Sequence, residues 1–389
     1  MTEARILVFN TGSSSIRLAV FDSAARTRLW SARAESVGRQ DGRIVIEGAG
    51  PSLPCEIDTF DAGFDLLLTQ LGQTYDDATW LGVGHRFVHG GEAFSAPQII
   101  TGEIEQRLQS LAPLAPLHMP QSLAGVAAVR KRWPHASQVA SFDTAFHASL
   151  PARARVLALP QELLGAEVRR YGFHGLSYQS ILLALTEAGV EVEGERILIA
   201  HLGAGASMCA IAGGQSVETT MGFSTLAGLP MATRCGDIDP GALVHILAEK
   251  RVSPDELRRA LYQDSGLKAL AGLAGDMKQL LAHRLEPAPA LAIEVFCYAA
   301  RRSIASLAAA MGGLDRLLFT GGIGERADAI RTEICAGLEF LGVELDARAN
   351  SAGQTRLSPE GARVLVEARA SNEEGVIARH VVAALTGHS

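Results

Sequence analysis

Two segments about half a chain apart share one pattern, and this repeat constrains the fold more than any other feature of the 389-residue sequence. In residues 5–22 an apolar run is followed by a small and polar stretch, 10–15, and then by an alternating apolar run. Residues 196–214 repeat the same order. Each segment predicts two strands joined by a tight turn. A repeat at this distance indicates a duplicated domain with a cleft between the two copies.

The rest of the sequence mixes strands with helices. A third apolar run, 317–319, predicts a buried strand that ends in a glycine turn at 321–325. Hydrophobic periodicity predicts helices over 254–262, 290–311, 327–338 and 375–385, and a further strand over 363–366. Alternation of this kind predicts an α/β fold.

Length, charge and cysteine use narrow the class of protein. A chain this long exceeds what one hydrophobic core usually serves, so we expect two domains. The net charge of −7, without a long basic run, argues against nucleic-acid binding. We expect no membrane span, because no window of about 18 residues is apolar and free of charges. We expect no signal peptide, because the N-terminus lacks a charged segment followed by an apolar one. Five cysteines without a C-x-x-C pair fit a cytoplasmic location.

Three small-residue turns, each at the end of an apolar strand, favour binding of nucleotide phosphates. Backbone N–H groups can approach phosphate oxygens closely only where side chains are small. The turns are 10–15, 201–207 and 321–325, and no P-loop pattern occurs beside them. Any one turn alone could be an ordinary hairpin turn. Three together, two of them in repeat relation, indicate a nucleotide.

Motifs along almost the whole chain resemble those of the acetate kinase family. They are VFNTGSSS at 8–15, GHRFVHGG at 84–91, FDTAFH at 142–147, RYGFHG at 170–175, HLGAGAS at 201–207, TRCGDIDP at 233–240, GGIGE at 321–325 and NEE at 372–374. The resemblance implies duplicated ribonuclease-H-like (actin-like ATPase) domains with an interdomain cleft. It implies an N-terminal domain over 1–147 plus 375–389, to which the C-terminal helix returns. The second domain, 148–374, would bind the nucleotide and form the dimer.

The resemblance also implies an activity, the reversible phosphorylation of acetate by ATP with Mg²⁺ (or Mn²⁺). In-line transfer to a carboxylate joins two anions, so it needs cations more than a base. The implied catalytic residues are Asp143, as a metal or water anchor, His174, as a hydrogen-bond donor to the phosphoryl group, and Arg234, as its counter-charge. The implied metal ligands are Asn10 and Glu373.

The remaining implied positions bind the two substrates. The acyl-binding residues are Arg86, Val88, Leu117, His118, Phe173 and Thr225. The ATP-binding residues are Arg17, His201, Leu202, Gly203, Ala204, Gly205, Asp276, Met277, Lys278, Gly321, Gly322, Ile323, Gly324 and Glu325. Departures from the family pattern occur at Arg17, Met119, Leu176, Tyr178, Ala204, Thr225, Ala227 and Lys278. These positions surround the charged residues, so we expect them to affect substrate preference and rate more than reaction type.

Other interpretations stay open on the sequence alone. Arg86 could form a structural ion pair, Arg234 could pair with Asp237 or Asp239, and Glu373 could be an N-terminal helix charge. The enzyme could be a propionate or butyrate kinase, a sugar kinase, or a nucleotide-binding paralogue without activity. The expected partners are a short fatty acid, ATP or ADP, and a second copy of the chain, because the family is typically homodimeric.

Overall fold

Two β-sheets contain the strands that the structure describes. The structure, a computed structural model, describes residues 4–12, 14–39, 41–49, 52–76, 78–165 and 167–387. The strands of the first sheet are β1 (Arg5–Thr11), β2 (Ser15–Asp22), β3 (Arg28–Glu35), β4 (Arg43–Ile46), β5 (Leu53–Pro54), β6 (Trp80–Phe87), β7 (Gln98–Ile99) and β8 (Gln138–Phe142). Those of the second are β9 (Ile197–Leu202), β10 (Ala206–Ala212), β11 (Gln215–Thr219), β12 (Arg316–Thr320) and β13 (Leu365–Ala368).

The two sheets contain the same five-strand arrangement. In the first sheet the strand order is β5-β4-β3-β2-β1-β6-β8-β7, and in the second it is β11-β10-β9-β12-β13. β1 runs antiparallel to β2 and parallel to β6, and β9 runs antiparallel to β10 and parallel to β12. β6 and β12 each continue into a further parallel strand, β8 or β13. The α/β fold and the duplication predicted from the repeat are therefore confirmed.

The helices in the described part of the chain are α1 (Phe60–Tyr75), α2 (Gly102–Ser110), α3 (Met119–Arg132), α4 (Ala152–Arg155), α5 (Gly175–Glu187), α6 (Pro240–Glu249), α7 (Pro254–Gln263), α8 (Gly266–Ala271), α9 (Met277–Ala282), α10 (Pro287–Met311), α11 (Gly321–Arg326), α12 (Asp328–Cys335), α13 (Ala347–Ser351) and α14 (Glu373–Thr386). Across the described ranges, none of them combines the length and the apolar character that a membrane span requires.

Four predictions over residues 317–385 need correction. The glycine turn predicted at 321–325 is wrong, because these residues form the helix α11 directly after β12. The predicted helix over 327–338 ends earlier, since Gly337 adopts a left-handed φ of 85°. The predicted strand over 363–366 lies two residues too early: pairing with β12 starts at Leu365, opposite Arg316. The predicted start of the last helix is two residues late, because Asn372 caps it.

Contacts divide the chain into two compact units. The first comprises the described residues of Met1–Phe146, Gly175–Ser180 and Asn372–Ser389, and the second comprises His147–His174 and Ile181–Ser371. The domain boundaries implied by the resemblance, 1–147 plus 375–389 and 148–374, stay a prediction. Ser13, in the predicted turn at 10–15, lies outside the described residues.

In the first unit, α14 packs closely against the sheet. A Cβ added at Gly84 on β6 would lie 2.4 Å from Ile377 Cγ2 and 2.9 Å from Val381 Cγ2. Only a residue without a side chain lets the helix approach β6 this closely. The close packing sets the first turn of α14 beside the carboxyl end of β1, where the predicted metal ligands lie.

Candidate functional site

Three strands of the first sheet bring predicted site residues to one edge. Asn10 lies near the end of β1, Arg86 near the end of β6, and Asp143 directly after β8. Parallel neighbours end at the same edge of a sheet, so their last side chains converge. Asn10 and Asp143 are buried, and the Arg86 side chain is 14% exposed. The structure therefore assembles one predicted acyl ligand, one predicted metal ligand and one predicted catalytic carboxylate.

The guanidinium of Arg86 is engaged on all sides. Its Nη2 donates to Asp143 Oδ2 at 2.8 Å, and its Nε lies 3.2 and 3.3 Å from the two carboxylate oxygens. Its Nη1 donates to Asn10 Oδ1 at 3.0 Å and lies 3.1 Å from Glu373 Oε2. Asp143 and Glu373 raise the pKa of Arg86 above its usual value against the opposing effect of burial, so it stays charged. The ion-pair alternative is therefore realised in this structure, and an acyl-binding role for Arg86 remains a prediction.

Two glutamates from the first turn of α14 complete this cluster. Asn10 Nδ2 donates to Glu373 Oε2 at 2.9 Å and to Glu374 Oε1 at 2.7 Å. Negative charge is favourable at a helix N-terminus, which is the alternative considered for Glu373. Glu374 is buried and was not predicted as a site residue. The signal is present in the NEE motif, in which the resemblance implies a role only for the first acidic residue, Glu373.

The cluster carries more negative than positive charge. Asp143, Glu373 and Glu374 are carboxylates; the guanidinium of Arg86 contacts the first two, whereas Glu374 accepts a hydrogen bond from Asn10 Nδ2. Burial raises the pKa of Asp143 to about 6, Arg86 opposes this shift, and Glu373 adds to it. Surplus carboxylate and amide oxygens are the donor set that Mg²⁺ prefers.

These donors fit a magnesium ion that keeps several waters. Within the described ranges, no three or more His, Cys, Asp or Glu residues form a ready-made metal cluster. Mg²⁺ usually takes one or two carboxylates from the protein and completes its shell with water and phosphate oxygens. Asn10 and Glu373, with Glu374 beside them, are sufficient for such a site.

The other predicted residues of the first unit lie at varying distances from this cluster. Val88 is buried directly after β6, and His118 is the half-buried residue that precedes α3. Leu117 lies in the turn before it. Arg17 is 58% exposed on β2, with Nη1 3.9 Å from Glu374 Oε1. Its position beside Glu374 leaves most of its side chain in solvent.

In the second unit, His174 lies against the β9–β10 hairpin. Its ring stacks on that of His201, with centroids 4.3 Å apart and planes at 22°. Its Nδ1 lies 2.8 Å from Ser207 Oγ. A Cβ added at Gly205 would lie 3.3 Å from His174 Nε2 and 2.8 Å from Arg234 Nη2. Gly205, in the hairpin turn, thus leaves room for the side chains of His174 and Arg234.

Arg234 is a half-buried arginine without a carboxylate partner in the part of the chain that the structure describes. Its Nη1 donates to the backbone oxygen of Thr225 at 2.9 Å. Burial lowers its pKa to about 10, so it remains charged at pH 7. The alternative pairing is not formed: Asp237 accepts from the Gly228 N–H, and Asp239 caps α6. A desolvated cation of this kind is a strong site for an anion.

Two groups of predicted nucleotide residues, 201–205 and 321–325, lie at the ends of β9 and β12. These strands are parallel neighbours, with Thr320 opposite His201, so the hairpin turn and α11 lie at one edge. Gly321 has a φ of 77°, and a Cβ there would lie 2.7 Å from Leu202 O. Gly322, by contrast, has open space where a Cβ would be. The structure brings residues 201–205 and 321–325 together.

The loop that contains Asp276 lies close to the 201–207 turn, because Gly275 packs against Ala232 and Ala232 is hydrogen-bonded to Ala204. A Cβ added at Gly275 would lie 2.1 Å from Ala232 O, and Ala232 N donates to Ala204 O at 3.3 Å. Asp276 itself caps α9 by accepting from the Gln279 N–H at 3.0 Å. Met277 is buried and Lys278 is exposed. A nucleotide role for these three residues stays a prediction.

A buried arginine that was not predicted holds α11 in place. Arg331 is 1% exposed, and its Nη1 donates to the backbone oxygens of Gly324 and Glu325, both at 2.8 Å. Its Nε donates to Asn350 Oδ1 at 2.7 Å. Cations are favourable at the carboxyl end of a helix. No motif signalled this role, because it depends on contacts between α11, α12 and α13.

Comparisons with known proteins agree with these features. A family model described as the acetokinase family matches residues 5–379. Curated relatives include the acetate kinases of Methylocella silvestris, 43% identical over 98% of both chains, and of Rhodopseudomonas palustris (strain TIE-1), 42% identical over 97% of both.

Two solved structures of similar fold are also kinases of short fatty acids, at lower sequence identity. A propionate kinase from Francisella tularensis is 32% identical with a TM-score of 0.89, over 97% of this chain and 98% of that one. Porphyromonas gingivalis acetate kinase is 30% identical with a TM-score of 0.87, over 98% and 100%. Sequence, fold and the order of the motifs coincide over nearly the full length, and the chain belongs to the acetokinase family.

Proposed function

We propose that this protein transfers the γ-phosphoryl group of ATP to acetate, forming acetyl phosphate and ADP, and that it catalyses the reverse reaction. A carboxylate oxygen forms the new bond to phosphorus while the bond from phosphorus to the ADP oxygen breaks. No base is required, because acetate is ionised at neutral pH. Family membership and the names of the relatives support this assignment.

The observation that carries the proposal is the state of Arg234. A half-buried guanidinium that has a carbonyl as its acceptor and no carboxylate partner in the described ranges is costly unless an anion occupies the site in the working enzyme. The Gly205 turn brings Arg234 Nη2 and His174 Nε2 towards one point. We assign this point to the transferring phosphoryl group, with Arg234 as counter-charge and His174 as hydrogen-bond donor.

Magnesium is part of the proposal. The residues that would hold it are Asn10 and Glu373, with Glu374 orienting the Asn10 amide. When bound, the ion would neutralise charge on the nucleotide phosphates. The residues of the cluster hold one another in place without it. To bind the acyl carboxylate through its planar fork, Arg86 would exchange its present contacts with Asp143 or Glu373.

Acetate is the preferred acid in this proposal, with propionate and butyrate as the competing acids. One of the similar solved structures is titled a propionate kinase, so the acyl chain needs a direct test. One methylene changes binding by only about 1–3 kcal/mol. A sugar kinase would leave the two arginines without a purpose, and a paralogue that only binds nucleotide would need neither of them.

One assay separates these functions. The protein is incubated with ATP, Mg²⁺, hydroxylamine and one acid of two to four carbons, and the acyl hydroxamate is measured. We expect the largest kcat/KM with acetate and little product after chelation of the metal. The control is Arg348→Met, which changes an exposed arginine on α13. No hydroxamate from any acid would contradict the proposal, and a larger kcat/KM with propionate would reassign the substrate.

We also propose a cytoplasmic homodimer. The apolar helix α6 has no buried residue in the isolated chain, and Val244 and Leu247 on it are 66% and 38% exposed. Such a surface suits a second copy of the chain. Unpaired cysteines suit a reducing compartment. Light scattering should give twice the chain mass, and Val244→Glu should shift it towards the monomer; a monomeric wild type would contradict the dimer.

A further inference from the structure

The backbone of His174 is in a conformation that few side chains adopt. Its φ is 58° and its ψ is 23°, which is the left-handed region. A non-glycine residue there costs on the order of 1 kcal/mol and persists only when its surroundings hold it. In the described structure only three other non-glycine residues have positive φ, and none of them is a predicted site residue. What holds His174 in this conformation bears on how the site works.

The residue before it is held by a buried histidine. His147 Nε2 lies 3.0 Å from the backbone oxygen of Phe173, and His147 Nδ1 lies 2.8 Å from Ser216 Oγ. His147 is 2% exposed. A Cβ added at Gly172 would lie 2.6 Å from His147 Cδ2, so the loop backbone rests directly on the imidazole ring.

The partners of His147 fix its tautomer. A carbonyl oxygen can only accept a hydrogen bond, so Nε2 carries the proton and donates to Phe173 O. Nδ1 therefore accepts from the Ser216 hydroxyl. Burial lowers the pKa of His147 to about 4, so the ring is neutral at pH 7. Ser216 Oγ also lies 3.3 Å from Cys209 Sγ, which links this chain of contacts to β10.

We propose that His147 is a positioning residue: by holding the Phe173 carbonyl it keeps His174 in the left-handed conformation that points its ring at Ser207 and the Gly205 turn. His147 belongs to the FDTAFH motif, to which no role had been given beyond Asp143. The proposal rests on the function proposed above, because it supposes that His174 contacts the phosphoryl group. It adds that the orientation of His174 is set from Ser216 through His147.

A set of three variants tests this role. His147→Leu fills the volume but removes both hydrogen bonds, whereas His147→Gln keeps an N–H near the Nε2 position. The control is Ser149→Ala, which removes a hydrogen bond to the Ser216 carbonyl at 3.0 Å but leaves the His147 contacts. A misplaced catalytic group can cost up to about 100-fold in rate. We expect His147→Leu to lower kcat about 10- to 100-fold with KM for ATP within about twofold, and His147→Gln to recover most of kcat.

The outcomes separate positioning from general packing. Equal kcat in the Leu and Gln variants, or a parallel change in kcat and KM, would overturn the proposal. If His147→Leu does not fold, Ser216→Ala replaces it; this variant removes the hydrogen bond to His147 Nδ1, and an unchanged kcat would count against the proposal.

A second measurement does not depend on the reaction. In the ¹⁵N spectrum of the intact protein, the His147 ring, identified by its loss in His147→Gln, should show a neutral Nε2–H tautomer at pH 7. A cationic ring or an Nδ1–H tautomer would overturn the proposal even if the enzyme is active. An inactive wild type with the expected tautomer would instead count against the proposed function.

Discussion

Replacement of Arg234 by methionine should remove activity without destabilising the protein. Methionine has a similar length and no charge, so it preserves the packing of the aliphatic part of the side chain. If Arg234 neutralises the transferring phosphoryl group, kcat should fall at least about 10³-fold, which corresponds to roughly 4 kcal/mol of transition-state stabilisation.

The effect on stability follows from the lowered pKa. Burial disfavours the charged form of Arg234 in the folded state, where its pKa is about 10. Both the folded and the unfolded pKa lie above 7, so the side chain is charged in both states and this penalty is fully present at pH 7. One pKa unit corresponds to about 1.4 kcal/mol, so removing the charge should stabilise the fold by roughly 1–3 kcal/mol. The lost hydrogen bond to Thr225 O opposes this by about 1 kcal/mol.

The assay combines hydroxamate kinetics with thermal unfolding at pH 7. We expect a thermal midpoint equal to or above that of the wild type, together with almost complete loss of kcat. Arg348→Met, at an exposed position, controls for removing an arginine and should change neither quantity. A thermal midpoint several degrees lower, or a kcat within tenfold of the wild type, would refute the reasoning, because a structural arginine lowers stability when it is removed.

Three further changes test other parts of the structure. Gly322→Ala should leave the thermal midpoint unchanged and raise KM for ATP several-fold if phosphates approach this backbone, whereas Gly321→Ala should destabilise the fold because of its positive φ; equal effects would contradict this. Arg331→Met should lower the free energy of unfolding by about 3 kcal/mol, because it leaves Asn350 and two carbonyls without a donor; denaturant unfolding would show it. Asp143→Asn should gain stability relative to the wild type as pH rises from 4 to 6, since a raised folded-state pKa makes the ionised carboxyl unfavourable; parallel unfolding curves would contradict the raised pKa of about 6.

The sequence predicted the strands well where apolar runs met a clear boundary. β1, β2, β9 and β10 appear where the repeat placed them, because buried strands are read from continuous apolar residues. The errors occurred where tertiary contacts determine the secondary structure. The glycines after β12 fit a turn as well as a helix start, and the bonds from Arg331 that hold α11 come from residues later in the chain.

For the site, side-chain types were easier to predict than their partners. The motifs pointed to Asn10, Arg86 and Asp143, but not to the hydrogen bonds among them. Glu374 was not predicted because the sequence does not show which acidic residue of NEE faces the site. In the structure, the first turn of α14 places both Glu373 and Glu374 within hydrogen-bond distance of Asn10. His147 lies in the FDTAFH motif, but its contact with the carbonyl of Phe173, 26 residues away, depends on the fold and cannot be predicted from the motif.

The hydrogen bond between Asn10 and Glu373 joins residues 363 positions apart, and this has a consequence for biosynthesis. At 5–20 residues per second, roughly 20–70 s pass between synthesis of β1 and synthesis of α14. During this time β1 and β6 lack the helix that packs against Gly84, and Asn10 lacks both carboxylates. If synthesis stops before residue 373, the chain has an exposed apolar sheet and lacks the carboxylates of α14 that we propose as magnesium ligands. Such fragments would be inactive and recognisable to chaperones and proteases as unfinished.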